Sequence, residues 1–258
     1  MEKLTGKYFR DSMPDWKKKK DCALARFFFR PLSFYVSAWC ARHGINANTV
    51  SYISIIVAVL GCACYIPNNY TCWIIGAILF NVWYLLDCVD GNLARSYRRQ
   101  AFGDFADSVS SYILVGFMGI PLGLMVYNNG GAIVEPGNIW YIVMGGLAST
   151  SDTMMRLCYQ KYKANERVHV DEGLFQMEND VRTDNSQSGN WKVKIEQFGG
   201  VGGYLCLFIL FATIFNFMDL ILIYCAIYYG GAMIVSILSF IKKAITKSKQ
   251  YTFPLKVK

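Results

Sequence analysis

From His43 to Leu86 the chain carries no Asp, Glu, Lys or Arg. Four further charge-free runs follow: Ser108 to Val134, Pro136 to Ser151, Gln197 to Met218 and Leu220 to Ile241. A bilayer core of about 30 Å takes about 20 apolar residues as helix. In lipid, backbone N–H and C=O groups must be satisfied internally, which leaves the helix as the sensible reading of such runs. The first run holds two spans, with Pro67-Asn68-Asn69-Tyr70 as the turn between them. The expected fold is an all-α polytopic membrane bundle of six transmembrane helices, near 47–66, 71–92, 103–127, 138–159, 199–216 and 219–241. Composition agrees. Charged residues are 17% of the 258, where soluble domains carry about a quarter. The net charge is nonetheless +8, so charge is concentrated between the runs. This argues against an ordinary soluble enzyme and, with 54% hydrophobic residues, against a disordered chain.

Lys and Arg set the orientation. They fall in residues 1–42, in the loop 95–99, at Arg156, in 161–194 and in 242–258. The connections near 67–70, 127–138 and 216–220 have none. By the positive-inside rule, both termini and the loops after spans two and four face the cytoplasm. The sequence does not distinguish a bacterial inner membrane from another membrane. Three parts are expected: an amphipathic cytosolic segment 1–43, a membrane domain 44–241 with a cytosolic loop 160–198, and a basic tail 242–258. The first 20 residues are polar and are not a signal peptide. Lys17 to Lys20 read as a solvated tail drawn to the membrane. Ala23 to Trp39 reads as interfacial helix, broken or started at Pro31. The nine cysteines form no disulfide framework, and two histidines without a C-x-x-C pair make zinc unlikely. The glycine pairs 199–200, 202–203 and 230–231 read as close helix packing. Pro121 is expected to kink span three, and Trp73, Trp83, Trp140 and Tyr141 to anchor or pack it and its neighbours.

Ionisable groups inside spans are costly and usually functional. Span two ends in Leu86-Asp87-Cys88-Val89-Asp90-Gly91. Asp87 and Asp90 are three apart and share a helix face. Asp104 and Asp107 lie on the first turns of span three. Because the joining loop is short, spans two and three are expected to be antiparallel neighbours that bring Asp107 to Asp87 and Asp90. Three such carboxylates repel one another unless a cation sits among them. Hard oxygen ligands favour Mg²⁺ or Mn²⁺ over zinc, the rest of the shell being water and substrate phosphate. Gly91, Ala94 and Gly103 leave room for a bulky ligand.

Asp87-x-x-Asp90-Gly91-x-x-Ala94-Arg95, a short gap, then Gly103-x-x-x-Asp107 resembles the signature of the CDP-alcohol phosphotransferase (CDP-alcohol phosphatidyltransferase) family. Gly44 to Ser51 is similar to the pattern that opens the family's first span, with Ala47 where proline is common. The resemblance covers about residues 44–111. It implies an integral membrane enzyme that moves a substituted phosphoryl group from a CDP-linked donor, such as CDP-diacylglycerol, to an acceptor hydroxyl and releases CMP. It implies Asp87, Asp90 and Asp107 as metal ligands, Gly91, Ala94, Arg95 and Gly103 lining the CDP site, and a homodimer among membrane lipids. No nucleic-acid partner is expected.

Two features depart from the pattern. The gap from Arg95 to Gly103 is one residue shorter than usual, and Ser111 stands where a fourth aspartate, the general base, is expected. Serine at neutral pH is a poor base. The candidates to replace it are Asp104, near the start of span three, and Asp152 in span four, the latter four residues from Arg156 and able to pair with it. Alternatively no protein base is needed. Arg156 is a candidate ligand for a phosphate or an anionic acceptor. A non-catalytic binder of CDP-lipid or of a protein partner is the rival reading. Donor and acceptor are not named by the sequence.

Overall fold

The structure, a computed structural model, describes residues 4–173 and 199–250, and every regular element among them is a helix. Two short helices, α1 (Gly6–Asp11) and α2 (Asp15–Lys20), lead through a wide π-helical turn at Ala25–Phe29 into α3 (Arg30–Arg42). The long helices are α4 (Ala47–Cys64), α5 (Tyr70–Ser96), α6 (Gly103–Asn129) and α7 (Trp140–Asp171); α8 (Leu205–Phe215) and α9 (Met218–Gln250) complete the bundle. Several starts are written in the sequence. Thr5, Asn46 and Asn69 precede α1, α4 and α5, and each side chain accepts the amide hydrogen of the residue three further on. Pro31 lies in the first turn of α3, where an N–H is not needed.

Four helices are long and apolar enough to cross a membrane: α4, α5, α6 and the Met218–Lys249 part of α9. The other two expected spans differ, for separate reasons. α8 has 11 residues, about 16 Å of helix against a core of about 30 Å. Residues 200–204 before it form turns, as a glycine-rich stretch disfavours helix. α7 carries Asp152 and Arg156 and continues into polar sequence as far as Asp171. The expected loop 160–198 therefore begins as helix, because residues 160–171 contain no glycine or proline to stop it. Its later acids, Glu178, Asp180 and Asp184, lie outside the described residues, as does the tail from 251.

α4 packs along both α5 and α6, α6 packs along α7, and α7 along α9. α5 and α6 touch little, so they are not the packed neighbours expected from their short loop; α4 is wedged between them. Its Ser54 Oγ meets Ser110 Oγ of α6 at 2.5 Å, and Trp83 Nε1 of α5 donates to the same hydroxyl at 2.9 Å. α6 and α7 cross at Gly119 and Gly145, where a Cβ on either would come to 2.0 Å from the other's carbonyl oxygen. Ser149 enters the α6 ladder there, accepting from Gly119 N (3.1 Å) and donating to the Val115 carbonyl (2.7 Å). The glycines expected to pack are mostly elsewhere. Gly202, Gly230 and Gly231 face open space, while Gly199 abuts Tyr224 and Tyr228.

The N-terminal segment is docked rather than loose. Phe9 and Met13 are buried with Val89 and Leu93 of α5, and the Tyr8 hydroxyl donates to the Ser96 carbonyl at 2.7 Å. α3 buries Phe34, Ala38, Cys40 and Ala41 together with Arg30, Ser33 and Ser37, while Leu32, Tyr35 and Trp39 stand outside. At the far end of α7, buried Glu166 is held by Lys163 at 2.9 Å and by Lys247 of α9.

Candidate active site

One carboxylate oxygen from each of Asp87, Asp90 and Asp107 lies within 4.8 Å of the others. The loop joining α5 to α6 brings them together and is itself tied to α4. Asn48 donates from its amide N–H to Gln100 Oε1 (3.3 Å) and from Nδ2 to the Ala101 carbonyl (2.9 Å). Phe102 turns the chain into Gly103 through a left-handed conformation, φ +58°. Burial grades across the three acids: Asp90 is buried, Asp87 half-buried and Asp107 exposed. Ser51 of α4 donates to Asp90 Oδ2 at 2.6 Å. Three hard oxygen donors at one mouth, with few protein hydrogen-bond donors aimed at them, fit a divalent cation.

A basic shell stands beside the acids. Arg30 is buried, pairs with Asp21 through Nε (2.7 Å) and Nη2 (3.2 Å), and donates through Nη1 to the Cys88 carbonyl and to Asn92 Oδ1. Burial opposes its charge, but its surroundings, Cys88 and the bonded Asp21 carboxylate among them, outweigh that and raise its pKa above the ordinary arginine value. Asn92 is a hub. Its Oδ1 accepts from Arg30 and from Arg95 (3.2 Å), and its Nδ2 donates to Ser33 and Ser37. Gly91 suits this arrangement: a Cβ there would lie 3.0 Å from the terminal nitrogens of Arg95 and would press the guanidinium aside. The room at Gly91 is thus used by the protein's own arginine. At Gly103 a Cβ would make only ordinary contact, 3.5 Å from Asn48 Oδ1, so no protein atom demands glycine there. Ala94 is half-buried beside the cluster of Phe9, Val89 and Leu93.

A cavity of about 460 Å³ adjoins the acids, lined by Asp87, Lys17, Arg30, Tyr84, Asp152, Arg156 and Tyr229 among others. Lys17 corrects the reading of its run as a solvated tail. It pairs with Asp21 at 3.3 Å and lines the cavity, because α2 is folded back over the mouth. Asp152, 2% exposed, is bonded by Arg156 Nε to its Oδ2 at 2.5 Å, and the Arg156 guanidinium lies 4.8 Å from the Tyr112 ring centroid. The pairing expected four residues apart is present. The structure separates the base candidates. Asp152 lines the cavity; Asp104 is exposed and does not; Ser111 donates its hydroxyl to its own helix, to the Ser108 carbonyl at 2.9 Å. Sequence reasoning missed Lys17, Arg30, Ser51, Asn92 and Tyr229 as parts of this region. Only Ser51 and Asn92 carried any signal, lying within the recognised stretches.

A bundle of apolar helices that gathers three carboxylates, three guanidinium groups and a cavity at one end defines a class of helical protein built around a cation-competent acid mouth. The profile of the CDP-alcohol phosphatidyltransferase family matches residues 45–230, and the chain belongs to that family. It is also similar to a phosphatidylinositol phosphate synthase of Streptomyces avermitilis, with 29% identity over 93 residues. That match covers 36% of this chain and 37% of the relative's length.

Proposed function

We propose that the protein is a membrane CDP-alcohol phosphotransferase that transfers a substituted phosphoryl group from a CDP-linked donor to a hydroxyl of an acceptor seated in the cavity. The observation that carries this reading is that one cavity is lined both by Asp87 of the acid group and by the Asp152–Arg156 pair. CDP-diacylglycerol is the proposed donor, and inositol phosphate, by likeness to the relative's name, heads the acceptors to test. α7 and the 199–215 region complete six crossings in this reading, the Asp152–Arg156 pair reducing the cost of charge in the bilayer. Both termini and the acid mouth face the cytoplasm. The outward apolar faces, most extensive on α9, contact lipid and a second copy in a homodimer.

Asp87, Asp90 and Asp107 would hold Mg²⁺ or Mn²⁺, which neutralises the donor pyrophosphate and the departing CMP. Ser51 fixes Asp90 by its hydrogen bond. Arg95, steadied by Asn92, and Lys17 face the phosphates from the basic side. The space at Gly103 admits the nucleotide. Arg156 draws an anionic acceptor to the cavity. Asp152 takes the proton of the attacking hydroxyl as its oxygen bonds to phosphorus and the bond from phosphorus to CMP breaks.

Purified protein incubated with CDP-diacylglycerol, Mn²⁺ and acceptor is expected to release CMP. Asp152→Asn is expected to lower turnover about 100-fold with CDP binding unchanged, and Asp104→Asn to stay within about threefold of the parent, since Asp104 stands off the cavity. Full turnover in Asp152→Asn removes Asp152 as base. The second reading, a binder that does no chemistry, is favoured by one observation: Ser111, in place of the fourth aspartate, spends its hydroxyl on its own helix. CDP binding without CMP release from any donor and acceptor pair would select it.

A further inference from the structure

We infer that Tyr229, on α9, is a specificity-determining residue that hydrogen-bonds a hydroxyl of the acceptor, an inference that rests on the cavity being the acceptor site. Tyr229 lines the cavity and is 4% exposed, yet its hydroxyl is buried with no hydrogen-bond partner among the described residues. Buried hydroxyls are nearly always paired, because an unpaired one forfeits its bonds to water. Two other buried tyrosines follow that rule. Tyr84, on the same cavity, donates to the Gly202 carbonyl at 2.8 Å, and Tyr65 meets Thr213 Oγ1 at 2.8 Å. The Tyr162 hydroxyl is likewise buried without a partner among the described residues, but of the two only Tyr229 lines the cavity that Asp152 also lines. A phenol both donates and accepts, so it matches a hydroxylated ligand in either sense. The ligand class is a small polyhydroxylated molecule bearing an anionic group: one hydroxyl for Tyr229, another beside Asp152, and the anion for Arg156.

Wild-type and Tyr229→Phe proteins, purified at full length, are compared with CDP-diacylglycerol and Mn²⁺ while inositol phosphate, glycerol 3-phosphate or unphosphorylated inositol is titrated. The variant is expected to raise the KM for the preferred acceptor about 10-fold, the effect of one lost hydrogen bond. Its kcat at saturating acceptor and its donor KM are expected to stay within about twofold. Ligand-free Tyr229→Phe is expected to melt no lower than the parent, while the rise in melting temperature on adding acceptor shrinks. An unchanged acceptor KM overturns the inference. So does a ligand-free destabilisation that affects donor and acceptor equally, which marks a structural hydroxyl. Should the wild type release no CMP, the catalytic reading fails and the melting data decide this one. A shift on adding inositol phosphate that is lost in Tyr229→Phe upholds it; no shift in the wild type overturns it.

Discussion

Asp90 and Asp219 are both buried carboxylates, and they stand at opposite ends of the bundle in opposite states of completion. Asp219, with no exposed surface, accepts the backbone amides of Ala132 (3.0 Å) and Ile133 (2.8 Å), one on each oxygen. The neighbouring Gly131 closes on it so tightly that a Cβ would come to 2.2 Å from the Asp219 carboxyl carbon. That carboxylate is sealed by its own chain and fixes the turn between α6 and α7. Asp90 receives one side-chain hydroxyl, from Ser51, and faces two more acids. Burial alone therefore does not mark function in this protein. What separates the two acids is how far the chain itself satisfies the charge.

The sharpest way to break this contrast is to neutralise each acid. Asp87→Asn is expected to lower CMP release at least about 1000-fold, with little change in melting temperature, as measured by CMP assay and thermal denaturation in detergent. Asp219→Ala is expected to do the reverse: turnover per folded molecule within about twofold, and stability lower by about 1–3 kcal/mol because two buried amides lose their acceptor. If Asp219→Ala abolished turnover in folded protein, the division into a sealed end and a reactive end would be lost. Ser51→Ala should raise the Mn²⁺ concentration for half-maximal activity about 10-fold, since it removes the group that orients Asp90; metal titration reads this directly. Gly91→Ala is expected to cost more turnover than Gly103→Ala in the absence of nucleotide-binding effects, because only the former displaces Arg95; CDP affinity of the two variants separates the causes.

The smallest effect is in pH. Burial pushes Glu166 up, but hydrogen bonds from Lys247 and Lys163 prevail and hold it below the usual carboxylate range. A depressed folded-state value gives stability that is present above the unfolded carboxylate pKa, about 4.3, and is lost as pH falls through the folded value. Acidification below about pH 4 is thus expected to loosen the contact of α7 with α9. Glu166→Gln should flatten that acid limb in a melting profile without moving the metal dependence.

Much of the site was legible because its chemistry is local. Asp87, Asp90 and Gly91 lie within two turns of one helix, and a loop of a few residues returns Asp107 to them, so spacing alone brought the three acids together. The turn at Pro67 to Tyr70 between the first two spans was legible for the same reason. Residues whose role depends on distant partners were not. Lys17 looked like any solvated lysine until α2 folded over the mouth, and Tyr229 like any apolar-span tyrosine until α7 placed Asp152 near it. The glycine pair at 230–231 suggested close packing, yet the close crossing falls at Gly119 and Gly145, because which helix faces meet is decided between helices.

By itself the sequence determined that the chain is helical, that its apolar stretches need a non-aqueous setting, and which three acids share a mouth. Those properties follow from hydrophobicity and the 3.6-residue repeat, which act along the chain. Tertiary structure alone decided that α4 separates α5 from α6, that Ser51 holds Asp90, and that Asp152 and Arg156 share a cavity with Asp87. Those depend on contacts across tens of residues, which no local pattern encodes.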